Sequence, residues 1–189
     1  MITFKFQGKE YPIKNQTNEI SLSEFSLINS VITDEKFDNT EKWINILGLL
    51  ELPEEVIDNL SIDELGIYIK NAFNERINNT YIESITIDGY EYIVKLDDGK
   101  PFIGITDLKW IEKMLPKGPE YMVGVLFKRS DLTKKEHYDK SHILHKGKLI
   151  GNTLTAEQAL PYIIHINSAI NNAFKSFIKN DENPVSTNN

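Results

Sequence analysis

The sequence predicts an α+β protein that is mostly α-helical, a helical bundle that carries an N-terminal and a central β-hairpin. The longest periodic stretch, 155–179, has apolar residues every three or four positions, which is the repeat of one helix face. Asp88-Gly89 lies between two alternating runs, 81–87 and 90–96, and this pattern is typical of a hairpin with a type I′ turn. With 40% hydrophobic residues among 189, the chain can bury a core of ordinary size.

The first part of the chain, 1–76, combines a hairpin with short helices. Alternation on either side of Gly8-Lys9 predicts strands over 3–7 and 10–13, and Pro12 confines the second strand to a sheet edge. The predicted helices run from Ser21 or Ser23 to about Ile32, from Asn39 or Thr40 to the Leu52-Pro53 break, over 54–60, and from a Ser61–Glu64 capping box to about Arg76.

The second part, 81–179, follows a junction at 77–80 and ends in a polar tail, 180–189, that we expect to be disordered. Its predicted elements are the central hairpin over 81–96, helices over 106–115 and 120–129, a polar and basic loop over 130–152 with a helical turn or more near 141–148, and the long helix opened by a Thr155–Gln158 capping box. The two hairpins can pair into one four-stranded antiparallel sheet or lie in separate subdomains, because an isolated hairpin is barely stable in water.

Charge is distributed unevenly along the chain. The formal net charge of −7 argues against nucleic acid as a general partner, since contacts with phosphates dominate that affinity. Acidic residues are dense over 19–64, where only Lys36 and Lys42 are basic, whereas bases dominate over 128–148. Such asymmetry fits complementary surfaces within the fold, between copies of the chain or with a partner, and it also fits ordinary solvated faces.

The sequence also bounds the compartment. It contains no Cys, so neither disulfides nor Cys-based sites can form. No apolar run approaches the ~18 residues that a membrane span needs, and no basic-then-apolar secretory signal opens the chain. These features are consistent with a reducing compartment and predict no contact with a membrane.

Candidate catalytic chemistry is confined to one histidine cluster. His137, His142 and His145 lie in one segment with Glu136 and Asp139, and a carboxylate could complete a divalent-metal site, which gives a metal-dependent enzyme as one hypothesis. The spacings of metalloprotease helices, P-loops, EF-hands and nucleophile elbows are missing. The sequence therefore predicts no catalytic residue, no metal and no cofactor, and a protein that is not an enzyme.

Two sets of segments resemble one protein family. The first set is Phe4-Lys-Phe-Gln-Gly-Lys-Glu-Tyr-Pro-Ile13, Leu22-Ser-Glu-Phe25, Glu41-Lys-Trp-Ile44 and Leu52-Pro-Glu-Glu-Val-Ile57. The second set is Tyr121-Met-Val-Gly-Val-Leu-Phe127, Glu136-His-Tyr-Asp139 and 156–161. In this order they resemble the tail assembly chaperones and related morphogenesis proteins of tailed bacteriophages.

This resemblance implies a non-catalytic factor of the host cytoplasm that binds the helical tape measure protein, or other tail components, during tail assembly. A homo-oligomer is compatible with that role. The central hairpin, 81–96, departs from the family pattern, because a minimal all-helical chaperone does not need it. The alternative is therefore a structural component of the virion, such as a capsid, neck or baseplate accessory protein.

Under this resemblance, binding would place a partner helix in a groove with surplus apolar surface. The candidate partner-binding residues are Trp43, Ile46, Leu50, Val56 and Ile57, because their region is apolar on more sides than one core needs. The other interpretation is that the same residues form the core of the N-terminal half.

Overall fold

The computed structural model describes residues 2–14, 18–61 and 80–181. It confirms the predicted fold class, α+β and mostly helical. The helices are α1 Leu22–Thr33, α2 Asn39–Leu49, α3 Glu54–Ile57, α4 Ile105–Met114, α5 Pro119–Leu126, α6 Lys134–His137, α7 Lys140–Thr153 and α8 Ala156–Asp181, with a 3₁₀ turn at Leu115–Lys117. The strands are β1 Ile2–Phe6, β2 Lys9–Ile13, β3 Ser84–Ile87, β4 Tyr90–Val94, β5 Leu96–Asp97, β6 Lys100–Pro101 and β7 Phe127–Arg129. The predicted helix that begins at Ser61, and most of the predicted junction and tail, lie outside the described residues.

The strands form three small antiparallel sheets, β1–β2, β3–β4–β7 and β5–β6. The N-terminal and central hairpins therefore lie in separate sheets, and the alternative in which they pair into one four-stranded sheet is wrong. Asp88 and Gly89 both have positive φ angles, 52° and 78°, as the predicted type I′ turn requires.

The segment predicted as a helix over 120–129 changes conformation near its end. Helix α5 ends at Leu126, and Phe127 is extended with φ −80° and ψ 120°. Strand β7 then pairs with β4, so that Phe127 lies opposite Val94 and Arg129 lies opposite Tyr92. The prediction was wrong at this end because the pairing depends on a strand some 30 residues earlier in the chain, which local periodicity cannot reveal.

The basic segment predicted as a loop over 130–152 is largely helical. Thr133 caps α6 and Asp139 caps α7, in each case through a side-chain oxygen that accepts backbone N–H groups. Helix α7 buries Ile143, Gly147 and Ile150 on one face. The sequence predicted a helical turn or more near 141–148 and underestimated the extent of helix, because glycines and a lysine occupy inward positions where large apolar residues normally indicate a helix.

Buried side chains form two clusters, which we call the major core and the minor core. The minor core lies among β2, α1, α2 and α3 and consists of Ile13, Ile20, Ile28, Ile46, Leu47, Leu50, Leu52 and Val56. The major core lies where α4, α5, α7 and α8 meet the sheet β3–β4–β7. Helix α8 contributes Ala159, Tyr162, Ile166 and Ile170 to it, at the spacing of three or four that the sequence predicted.

Helix α1 contributes to both cores, and its first residue is tied to the start of α8. The N–H of Leu22 donates to the carbonyl O of Leu154 at 2.8 Å, and the N–H of Ala156 donates to the carbonyl O of Ile20 at 2.8 Å. The predicted capping box of Thr155 with Gln158 forms, and Ser21, one of the two predicted caps of the first helix, forms a capping box with Glu24. Two helices from distant parts of the chain therefore begin side by side.

Helices α5 and α7 cross closely because glycines meet at the crossing. A Cβ on Gly124 would lie 2.9 Å from the Cα of Gly147, and a Cβ on Gly147 would lie 2.5 Å from the Cδ1 of Tyr121. Real Cβ atoms almost never come this close to another heavy atom. The crossing fixes the position of α7 relative to β7. Charged side chains are buried in this region.

Candidate functional site

An apolar groove of about 460 Å³ lies between α1, α2 and α3, beside the minor core. It is lined by Val31, Ile44, Asn45, Gly48, Leu49, Leu52, Glu54 and Ile57. Ile44 is 44% exposed, and the neighbouring face of α1 carries Leu27 and Ile32 at 52% and 45% exposure. Apolar side chains that remain in water beside a concave surface favour an interaction site.

The predicted partner-binding residues divide between this groove and the minor core. Ile46, Leu50 and Val56 are at most 7% exposed and belong to the core, as the second interpretation of the sequence has it. Trp43 is half-buried and packs against the core, while Ile57 packs against the core and also lines the groove.

Sequence reasoning missed the residues of α2 that do line the groove. Ile44 and Gly48 are four positions apart, so they share a face of α2 beside the one that Ile46 and Leu50 bury. The usable signal was the width of the apolar face, which exceeds what one core contact needs. Gly48 contributes by its size, since it leaves space at the centre of the groove.

The surroundings of the groove are strongly acidic. Residues 18–58 include ten Asp and Glu side chains and only two Lys, Lys36 and Lys42. Glu54 lines the groove itself, and Glu54 and Glu55 lie in the first turn of α3, where they complement the helix dipole. A partner that fills the groove would therefore need apolar side chains flanked by basic ones.

A second concave site, the polar cavity, has a volume of about 640 Å³ and lies where α4, β7 and α6 meet. It is lined by Phe102, Ile103, Gly104, Ile105, Thr106, Asp107, Lys128, Lys134, His137 and Tyr138. The Asp107 side chain is 4% exposed, and its Oδ1 lies 2.8 Å from the Lys128 Nζ. The same Oδ1 accepts the Tyr138 hydroxyl at 2.6 Å, and Oδ2 accepts the Gly104 N–H at 3.0 Å.

Lys146 lies behind this cavity, 1% exposed, and its Nζ donates to the carbonyl O of Phe127 at 2.6 Å. Burial lowers the pKa of Lys146 to about 7, repulsion by Lys128 adds to this effect, and Asp107 opposes it. For Lys128, burial lowers the pKa, but hydrogen bonds and charges of Asp107 and Tyr138 outweigh burial and raise it. Lys128 is therefore a stable cation beside a lysine that loses its proton easily.

The histidines of the predicted cluster do not converge on a metal-sized space. Burial, then repulsion by Lys146, lowers the pKa of both His137 and His142, which favours neutral imidazoles. Their buried atoms, Nδ1 of His137 and Nε2 of His142, have no hydrogen-bond partner among the described residues. His145 is exposed and lies by a separate hollow with Lys117 and Lys148.

The described residues hold no group of three His, Asp or Glu side chains that could bind a metal ion. The metal-dependent hypothesis therefore has no ligand set in residues 2–14, 18–61 and 80–181.

Comparison with known proteins finds no matching family model, no matching curated protein and no matching solved structure. Among the described residues, no helix combines the length and the apolar character that crossing a bilayer requires.

Proposed function

We propose that the protein is a non-catalytic bacteriophage assembly factor, a tail assembly chaperone that binds the tape measure protein in the host cytoplasm while the tail forms. The observation that carries the proposal is the apolar groove, an exposed nonpolar surface of the kind that a helix-binding chaperone needs. The resemblance of the sequence to tail assembly chaperones supports the choice of partner.

The groove suits the apolar face of an amphipathic helix. Its walls come from two longer helices and one short one. This geometry receives the apolar side chains that a partner helix presents at positions i, i+3 or i+4 and i+7. The half-exposed Ile44 and the more deeply placed Leu52 give the groove an apolar rim and floor. An amphipathic segment of a long helical protein, which would otherwise aggregate through that face, is the matching partner.

The acidic surroundings specify the partner further. An excess of acidic over basic side chains across 18–58 attracts segments whose apolar anchors are flanked by Lys or Arg. The same charge would speed encounter with such a segment and make binding weaker at high salt.

Affinity purification from infected cells tests the proposal. The tagged wild-type protein should capture the tape measure protein, and purified virions should lack the chain. Ile44→Ser should lose the capture, while Ile164→Ser is the matched control, because Ile164 is 48% exposed on α8 and lies outside the groove.

Two outcomes of that experiment would overturn the proposal. Presence of the chain in virions at fixed stoichiometry would favour a structural accessory protein. The sheet β3–β4–β7 could serve that role, because it does not line the groove. Equal capture by Ile44→Ser and Ile164→Ser would show that the groove does not bind the partner. Urea unfolding of both variants is the folding check, since an exposed isoleucine should tolerate serine with little loss of stability.

A further inference from the structure

The charged side chains that line the polar cavity in the described part of the chain leave hydrogen-bond donors, and not carboxylate acceptors, available to a ligand. Both oxygens of Asp107 are occupied, Oδ1 by Lys128 and Tyr138 and Oδ2 by the N–H of Gly104. Lys128 contacts this carboxylate and the hydroxyl of Tyr138, so one of the three N–H groups of its ammonium remains available. A ligand in this space therefore has to bring acceptors.

The charges around the cavity favour an anion. Lys128 and Lys134 line it, whereas Asp107 is the one carboxylate among the described residues that line it. Lys134 is exposed on the short helix α6 and has its ammonium free to move toward a bound group. Asp107 is buried against three donors, of which Lys128 is positively charged, so its carboxylate repels an anion less than a free carboxylate would.

The wall opposite the lysines is apolar. Ile105 is 90% exposed and Phe102 is 43% exposed, and both line the cavity with Ile103. So exposed an isoleucine, at the first position of a helix, buries almost no apolar surface in the fold. An apolar ligand group against it would remove that surface from water, which is favourable. An inorganic anion would use the lysines and leave this wall uncovered.

We propose that the polar cavity binds an organic carboxylate, with its charged end on Lys128 and Lys134 and its apolar or aromatic body against Phe102 and Ile105. The volume of about 640 Å³ falls within the range of sites that hold small ligands. The carboxylate can belong to a small organic acid or to the C-terminal residue of a polypeptide. The cavity lies in a different part of the fold from the apolar groove, so this site is independent of the proposed chaperone function.

Nuclear magnetic resonance titration of the full chain tests the proposal with matched pairs of probes. The first pair is 3-phenylpropionate and 3-phenylpropionamide, and the second pair is acetyl-Ala-Ala-Phe with a free or an amidated C-terminus. We expect the acids to shift the amide signals of Gly104 and Ile105 at millimolar concentration and the amides to bind about tenfold more weakly, the factor that one ion pair supplies. Tighter binding of the peptide acid would identify a chain end as the natural ligand class, and tighter binding of 3-phenylpropionate would identify a small acid.

Two exposed lysines on one helix provide the control variants. Lys134→Glu should weaken binding of the acids about tenfold or more, whereas Lys135→Glu, one residue further on α6 and outside the cavity, should leave it nearly unchanged. Ile105→Ser should weaken the acids and the amides alike, because it removes apolar contact. Equal binding of acids and amides, equal effects of the two lysine variants, or binding of inorganic phosphate as tight as that of the acids would overturn the proposal.

Discussion

Replacing Lys146 with methionine should stabilise the protein at neutral pH. Lys146 is 1% exposed, and the hydrogen bond that the described residues provide for its ammonium group goes to the carbonyl O of Phe127. Methionine keeps the long aliphatic chain and its volume but carries no charge. Replacing a buried and poorly satisfied charge with a well-packed apolar side chain is generally neutral or stabilising.

The size of the effect follows from the pKa of Lys146, which burial lowers from an ordinary 10.5 to about 7. At about 1.4 kcal/mol per pH unit, burying this side chain costs the fold about 5 kcal/mol below pH 7. The hydrogen bond to Phe127 that methionine cannot make offsets about 1–3 kcal/mol of the gain. Lys146→Met should therefore raise the free energy of unfolding at pH 7 by roughly 2–4 kcal/mol.

The direction of the pH effect is set by the lowered pKa. Between pH 7 and 10.5 the unfolded chain holds the Lys146 proton and the folded chain does not, so this group makes the free energy of unfolding rise with pH. The free-energy cost of burying Lys146 is therefore fully present below pH 7 and disappears above pH 10.5. The advantage of Lys146→Met over the wild type should therefore shrink by about 3–4 kcal/mol between about pH 7 and pH 10.

Urea unfolding of the wild type and the variant at both pH values, followed by circular dichroism, measures this difference. Lys148→Met is the matched control, because Lys148 lies on the same helix, is exposed, and should show no pH-dependent advantage. If the advantage of Lys146→Met is the same at both pH values, Lys146 does not change its protonation on folding and the reasoning is wrong.

Three smaller substitutions test the packing, each by urea unfolding at pH 7. Gly147→Ala should lower the free energy of unfolding by about 1–3 kcal/mol, because its Cβ would enter the crossing of α5 and α7. Gly48→Ala should raise the free energy of unfolding by up to about 1 kcal/mol, since no described residue comes within 4 Å of a Cβ there and alanine favours the helix. If both glycine substitutions change the free energy of unfolding in the same direction, the close crossing of α5 and α7 is contradicted. Tyr162→Phe should lower it by about 1–2 kcal/mol through loss of the hydrogen bond that the hydroxyl donates to Ile82, and an unchanged stability would contradict that bond.

Those parts of the fold that local patterns encode could be predicted from the sequence. The Asp88-Gly89 turn and the capping box of Ser21 with Glu24 both form, because each depends on residues only a few positions apart. The long helix α8 could be predicted for the same reason, since its apolar residues recur every three or four positions along the sequence.

The sequence could not predict features that depend on distant partners. Strand β7 forms because Phe127–Arg129 completes the edge of β4, and the helical character of α7 is concealed by the inward-facing Lys146 and Gly147. The polar cavity brings Asp107 of α4 to Lys128 of β7, residues that are 21 positions apart and carry no common motif.

The apolar groove could be predicted only in part, because it depends both on local patterns and on how distant elements pack. The segment chosen from the sequence contains part of the groove lining, and one of its five chosen residues, Ile57, lines the groove. The sequence did not distinguish the two apolar faces of α2, because a buried face and an exposed apolar face have the same composition and differ only in what packs against them. Ile44 could be assigned to the exposed face only once α1 and α3 were placed.

The affinity of the purified chain for the tape measure protein tests the central claim, that an apolar groove is the working surface, most directly. The wild type and Ile164→Ser should bind with similar dissociation constants. Ile44→Ser should bind about tenfold more weakly, because loss of an apolar side chain that the partner covers costs about 1.4 kcal/mol. Dissociation constants that agree for all three proteins, or no binding by the wild type, would contradict the claim.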